Sequence, residues 1–294
     1  MTNRPHIPVL LNEVMQNLAL KPNDNVIDGT LGAAGHSAAM LEAIKPNGKL
    51  LGIDLDETAL ILAKNALAPF GSRAMLVHGN YRDVQSLIAQ ARFGPVQAAL
   101  LDLGYSSMEI DDATRGFSFK NDGPLDMRFN AQQELTAAEI VNTWSESDLT
   151  DIIWQYGEDR NARRIAAAIV SARKHERIIG TAQLADIVSA VSRSHEKIHP
   201  ATRTFQALRI ATNNELDNVK EGIKALYDAL APQGRLAIIS FHSLEDRIVK
   251  NQFNEYAKHD NATILTKKPI VATDEEAYNN PRSRSAKLRV IKKP

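Results

Sequence analysis

The chain has no cysteine. Structural disulfides, thiolate metal sites and a cysteine nucleophile are therefore excluded. It has no excess of charge, because 35 Lys and Arg residues balance 35 Asp and Glu residues. That argues against bulk coating of nucleic acid, while leaving room for a local basic patch. No apolar run approaches ~18 residues, so no membrane span is expected. The first residues, MTNRPHIPVLLNEVMQ, break their apolar patch with Asn12 and Glu13. They read neither as a secretory leader nor as a transit peptide, and the cytoplasm is the expected location. What is present is ordinary globular composition: 294 residues, 44% apolar and 24% charged. That is enough chain for one large domain or two modest ones.

The first hundred residues alternate in type. Short apolar runs at Asn25–Asp28, Lys49–Asp54, Ala74–His78 and Val96–Leu103 read as strands. Helical patterns at Ser37–Ile44, Glu57–Leu67 and Val84–Ala91 lie between them. This rhythm specifies βαβ units and a parallel sheet with right-handed crossovers. From about Ser107 to Arg209 strand signal is scarce. Thr136–Asn142, Asp148–Gln155, Ala162–Lys174 and Thr181–Arg193 read as helices. The rhythm then resumes. Asn214–Ala231 spaces Leu216, Val219, Ile223, Leu226 and Leu230 helically, and Pro232-Gln233-Gly234 stops it. Arg235–Phe241, Ala262–Lys267 and Lys287–Lys292 read as strands five to seven. The expected architecture is α/β: a seven-strand domain formed by residues 1–107 and 210–294, with an all-helical domain, 108–209, inserted.

Asp28-Gly29-Thr30-Leu31-Gly32-Ala33-Ala34-Gly35-His36 follows the first strand and opens a helix. Small residues let a ligand approach the backbone closely, and a helix N-terminus offers free N–H donors. Asp54 ends the second strand, where an acid can accept bonds from both hydroxyls of a ribose. Loop and acid together point to an adenosine-containing ligand; the alternative is a tight turn with a solvated Asp. Asp28 would repel a pyrophosphate but suits the ammonium of a methionine moiety, so S-adenosylmethionine fits better than NAD. Asp102 ends the fourth strand and faces the same crevice, unless it merely caps its own turn.

Longer strings carry a family resemblance: HIPVLL at 6–11, GTLGAAGH at 29–36, GIDLD at 52–56, LDLGYSS at 101–107, RGFSF at 115–119, LDMR at 125–128, HPATRTFQALRI at 199–210 and SFHSLEDR at 240–247. They resemble the bacterial 16S rRNA (cytosine-N4)-methyltransferase family over almost the whole chain. The resemblance implies a class I methyltransferase (Rossmann-like) fold and S-adenosylmethionine as methyl donor. It implies a cytosine of 16S rRNA, in the decoding centre of the small subunit, as target. It also implies cofactor contacts at Ala34, Gly35, His36, Asp54, Tyr81, Asp102 and Glu109. Departures are Ala34 in a glycine pair, Tyr81 for Phe, Glu109 for Gln, Tyr105 for a small aliphatic, and Phe129-Asn130 after LDMR. An alanine at 34 adds only a methyl group, which is tolerated where φ is negative.

Methylating an exocyclic amine requires N4 held in line with the donated methyl and acceptors for its N–H groups. The catalytic candidates are Asp102, Ser106 in the turn after it, and His242, which with Ser243 either positions the base or shuttles a proton, the alternative being a structural loop hydrogen-bonder. Tyr105 is a candidate to stack on a base, the alternative being simple loop packing. C5 methylation normally needs a cysteine, so N4 or an oxygen remains as the target. Glu245-Asp246-Arg247 reads as a helix start that pairs internally. The clusters suited to gripping phosphates are Arg203 and Arg209, with Phe205 between them, Arg163, Arg164, Arg173 and Lys174 of the insert, and the acid-free tail of Arg282, Arg284, Lys287, Arg289, Lys292 and Lys293, the alternative being simple solvated faces, above all for the tail. A homodimer is compatible with the sequence. The competing readings are a DNA or small-molecule methyltransferase, an inactive RNA-binding assembly factor and a nicotinamide dehydrogenase.

Overall fold

The computed structural model describes residues 7–104, 110, 112–192 and 198–294. The chain divides into two compact units, Met1–Gly104 with Leu216–Pro294, and Tyr105–Glu215. The first is built on β1 (Val26–Asp28), β2 (Leu50–Asp54), β3 (Ala74–His78), β4 (Val96–Asp102), β5 (Leu230–Ser240), β6 (Thr263–Ile264) and β7 (Lys287–Lys292). The strands form one sheet in the order β3-β2-β1-β4-β5-β7-β6. The pairs among β1 to β5 are parallel, and β7 runs antiparallel to both neighbours.

Strands buried on both faces are apolar at successive positions rather than at alternate ones. Ile27, Leu51, Ile53 and Leu101 enter one core, with Val84 and Leu87 of α4 (Val84–Ala91), Val219, Ile223 and Leu226 of the helix Glu215–Ala229, and Val249 and Phe253 of the helix Ser243–His259. Their neighbours Val26, Leu50 and Leu100 enter the other, with Val14 and Leu18 of α1 (Leu11–Leu18), Met40 and Leu41 of α2 (Gly35–Ala43), and Ala63 and Leu67 of α3 (Glu57–Leu67). β1 is flanked by β2 on one side and β4 on the other. Chain order reverses there, which is where an open α/β sheet offers a ligand crevice at the strands' carboxyl ends.

The second unit is helical: α5 (Ala137–Thr143), α6 (Glu146–Gln155), α7 (Ala162–Ala172), α8 (Thr181–Val191) and α9 (Thr202–Asn213). Side-chain oxygens of Thr136 and Ser145 cap α5 and α6 by accepting from Glu139 N and Asp148 N. Ile140, Leu149, Ile153, Ile165, Ile169, Leu184 and Val188 converge in one core. The RGFSF and LDMR strings are bound within this unit. Arg115 donates to the carbonyls of Arg128 and Phe129, and Arg128 grips Asp126 through two bonds of 2.8 and 2.7 Å.

Three expectations need correction. A boundary after Arg209 would cut α9, whose Phe205, Ala207 and Leu208 lie in the helical core; the units divide after Glu215 instead. The helix expected at 214–231 is α10, Glu215–Ala229, and β5 follows it directly. Leu230 pairs with Val96 before an irregularity that includes Gln233 at φ +65°, and regular pairing begins at Arg235. β6 is shorter than expected, because the Thr266 hydroxyl accepts the Val290 N–H and supplants the backbone ladder. α1 and α12 (Asp274–Asn279), the latter following α11 (Ser243–His259) and β6, are not announced by the sequence patterns.

Candidate active site

Three carboxylates stand at the carboxyl ends of adjacent strands: Asp54 on β2, Asp28 on β1 and Asp102 on β4. The glycine-containing loop after β1 folds against them. Gly29 donates its N–H to Leu100 O at 2.9 Å, and a side chain at Gly29 would strike Leu101. Gly32, at φ +49°, donates to Asp54 Oδ2 at 2.8 Å, and nothing lies within 4 Å of where its Cβ would be. The loop is thus tethered to Asp54 and open at Gly32. Asp54 Oδ1 accepts from Asp56 N at 2.9 Å, and each oxygen keeps a further lone pair. Burial raises the pKa of Asp54, opposed by these backbone bonds.

Ala34 sits at φ +62°, not at the negative φ expected. The left-handed region costs an L-residue roughly 1 kcal/mol, and the buried methyl group packs in the core on α2's side of the sheet. Gly35 answers to packing: a side chain there would overlap the Pro8 ring. The first backbone bond closing α2 runs from Ala38 N to Ala34 O, so the N–H groups of residues 35–37 precede it.

The His36 ring is buried and turned inward. Its Nε2 lies 2.9 Å from Val9 O. A carbonyl can only accept, so Nε2 carries the hydrogen and Nδ1 is bare. Nδ1 lies 3.8 Å from Asp102 Oδ2. Burial lowers the His36 pKa, against the nearby Asp28 charge, and the ring is neutral. Asp28 accepts from Ser37 Oγ at 2.6 Å and from Thr30 N at 3.2 Å. Burial still pushes its carboxyl up to about 6. Asp102 donates its backbone N–H to Thr30 Oγ1 at 2.6 Å. Its buried Oδ1 has no hydrogen-bond partner among the described residues. Burial pushes its pKa up to about 7, Arg282 pulls it down, and Glu245 adds to the rise. A carboxyl poised at neutral pH with an unmet acceptor is what a general base requires.

Tyr81 opens a short helical turn after β3. Gly222 of α10 makes room for its ring, a positioning role that helical periodicity alone does not reveal. His242 takes up the structural hydrogen-bonding role that the sequence reading set beside a catalytic one. It caps α11, accepting from Glu245 N, while Nε2 faces Glu245 Oε1 at 3.1 Å and the Glu245 carboxylate accepts from Phe241 N. Both ring nitrogens therefore face one glutamate, and the buried Nε2 has no hydrogen-bond partner among the described residues. Tyr105, Ser106 and Glu109 lie outside the described residues.

The basic tail is also corrected. Arg289 pairs with Asp246 (Nε to Oδ1, 2.6 Å), Lys287 lies 3.7 Å from the same carboxylate, and Lys293 donates to the carbonyls of Tyr227, Asp228 and Leu230. Asp246 thus pairs with β7, not inside its own helix. In the helical unit Arg209 forms two bonds of 2.7 Å with Glu215, Phe205 is buried, Arg173 donates to Val141 O and Arg203 to Glu158 O. Arg163, Arg164 and Lys174 remain exposed.

Among the described residues no helix is long and apolar enough to cross a membrane. The chain is 45% identical over 307 residues to the Ribosomal RNA small subunit methyltransferase H of Heliobacterium mobile, covering 98% of each. It is 47% identical over 306 residues to the protein of that name from Geobacter sulfurreducens, again covering 98% of each. Against that from Dehalococcoides mccartyi strain BAV1 it is 44% identical over 308 residues, covering 100% of this chain and 88% of the other. Residues 3–294 match the MraW methylase family, and with the α/β sheet and its carboxylate-lined strand ends this chain belongs to that family as a methyltransferase.

Proposed function

We propose that this chain transfers a methyl group from S-adenosylmethionine to the exocyclic N4 of a cytosine in 16S rRNA of the small ribosomal subunit, in the decoding centre and in the cytoplasm. The observation that carries the reading is the buried, partnerless Oδ1 of Asp102 at the end of β4. An acceptor so placed is costly unless a donor arrives, and an amino group is such a donor. The relatives' name supports rRNA as the substrate class.

The residues present suit the methyl donor. It would supply an electrophilic methyl on a cationic sulfonium. Asp54 would accept the ribose hydroxyls with its spare lone pairs. The Tyr81 ring would pack on the adenine. The backbone at Ala34, Gly35 and His36, opposite open Gly32, would bound the methionine portion, with Asp28 and Asp102 offsetting its positive charge. Glu109 completes the proposed contacts. Asp102 accepts a hydrogen bond from N4, concentrates the nitrogen lone pair on the incoming methyl, and takes the proton N4 sheds. Ser106 and His242 are the further catalytic candidates. The absence of cysteine excludes the usual C5 route. The helical unit would recognise the RNA, with Arg163, Arg164 and Lys174 on phosphates. A base within folded RNA would have to be turned out of its stack.

The test is mass mapping of methyl groups on 16S rRNA from cells with and without the chain. Loss of one N4-methyl group from a cytosine is expected. An unchanged methylation map would refute the reading.

A further inference from the structure

His36 holds a buried, neutral imidazole whose tautomer is set from behind. Val9 O accepts the Nε2 proton, so the bare Nδ1 lone pair faces Asp102 Oδ2 at 3.8 Å. Two acceptors facing each other at this separation repel, and one proton between them removes the repulsion. A shift of about 1 Å by the carboxyl group would make this a hydrogen bond, and catalytic bonds are often long before the reacting complex forms. We infer that His36 is a positioning residue for the proton-accepting carboxyl group of Asp102, its bare Nδ1 receiving a hydrogen bond from the acid once protonated. The inference rests on the proposed role of Asp102 and adds a partner to it.

The step balances as follows. An N4–H bond breaks and its electron pair stays on nitrogen, while an O–H bond forms on Asp102. Rotation of the carboxyl group turns the protonated oxygen towards Nδ1, which holds it until solvent water takes the proton after turnover. Holding the neutral acid in this way keeps Asp102 basic enough to compete for the proton. The other charges felt by this pair are those of Asp28 on β1, Glu245 on α11, Glu276 on α12, and Arg282. Only Arg282 among them is cationic, and it favours the carboxylate.

Two readouts test this on the full-length protein. The first is nitrogen NMR of histidine-labelled protein between pH 5 and 9. The expected His36 signature is an Nε2–H tautomer whose Nδ1 resonance moves with a midpoint near the pKa of about 7 assigned to Asp102, a movement abolished by Asp102→Asn. An Nδ1–H tautomer, or an Nδ1 resonance flat across that range, overturns the inference. The second is single-turnover transfer of labelled methyl from S-adenosylmethionine to small subunits lacking the modification. His36→Gln keeps a donor for Val9 O and removes the group facing Asp102. Its acid limb should move down by about one pH unit, with methyl transfer slowed roughly ten-fold and donor affinity unchanged. A purely structural histidine would be restored to the wild-type profile by Gln. Asp102→Asn separates the two layers: transfer at the wild-type rate refutes the base assignment itself. Loss of transfer there, with a wild-type profile in His36→Gln, refutes only the role of His36.

Discussion

Gly222 lies so close to Tyr81 that a methyl group in place of its hydrogen would overlap the ring carbons. A helix interior normally disfavours glycine by about 1 kcal/mol relative to alanine, so this position gives up helix stability to seat a ring. Gly222→Ala should therefore change the urea midpoint little, since helix propensity offsets part of the overlap. It should weaken S-adenosylmethionine binding roughly ten-fold by driving Tyr81 into the adenosine space. Titration calorimetry reads this directly, and an unchanged Kd would remove Tyr81 from the cofactor contacts.

Asp54 ties Gly32 and Asp56 into one loop. Asp54→Ala removes both tethers and the proposed ribose acceptor. Binding of S-adenosylmethionine should weaken by about 2–3 kcal/mol, roughly 30- to 200-fold. A dissociation constant within two-fold of wild type would show the ribose contact to be misassigned.

Asp102 works against stability where it serves chemistry. Its folded pKa, about 7, lies above the unfolded value near 3.9, so the folded state binds the proton more tightly. Its contribution to wild-type stability therefore declines as pH rises from about 4 to 7 and levels off above. Asp102→Asn escapes this decline. It should match or trail wild type at pH 4.5 and exceed it by about 2–4 kcal/mol at pH 8. Urea unfolding at both pH values checks this, and a difference that does not grow with pH would contradict the raised pKa.

Arg289 and Asp246 carry the opposite sign. Burial opposes the charged carboxylate, but Arg289 and Lys287 hold its pKa below the usual range. The pair's stabilisation is full above the unfolded pKa near 3.9 and is lost as pH falls through the lower folded value. Arg289→Ala leaves the half-buried Asp246 carboxylate with Lys287 as its remaining cation and should cost about 1–3 kcal/mol at pH 7, with a smaller penalty at pH 2.5. An equal loss at both pH values would point to packing alone.

β1 to β5 and β7 were readable from sequence because doubly buried strands are runs of apolar residues that stand out locally. The acids ending β1, β2 and β4 were readable for the same reason, since a charge closing such a run marks the crevice. What escaped depends on partners distant in sequence. The tail reads as a free basic cluster because Asp246, which neutralises Lys287 and Arg289, lies on α11. Arg209 and Phe205 read as RNA contacts because nothing local shows Glu215 meeting one and the helical core enclosing the other. The tether of the His36 ring escapes for the same reason, since Val9 O, which accepts a hydrogen bond from its Nε2–H, lies 27 residues away. Ala34 reads as unstrained because side-chain size alone does not fix the sign of φ.

The most direct measurement incubates the purified chain with small ribosomal subunits lacking the modification and methyl-labelled S-adenosylmethionine, then digests the 16S rRNA to nucleosides. Label in N4-methylcytidine from the wild-type protein, with transfer reduced at least a hundred-fold by Asp102→Asn, is the predicted result. Label in any other nucleoside, or Asp102→Asn transferring at the wild-type rate, would contradict it.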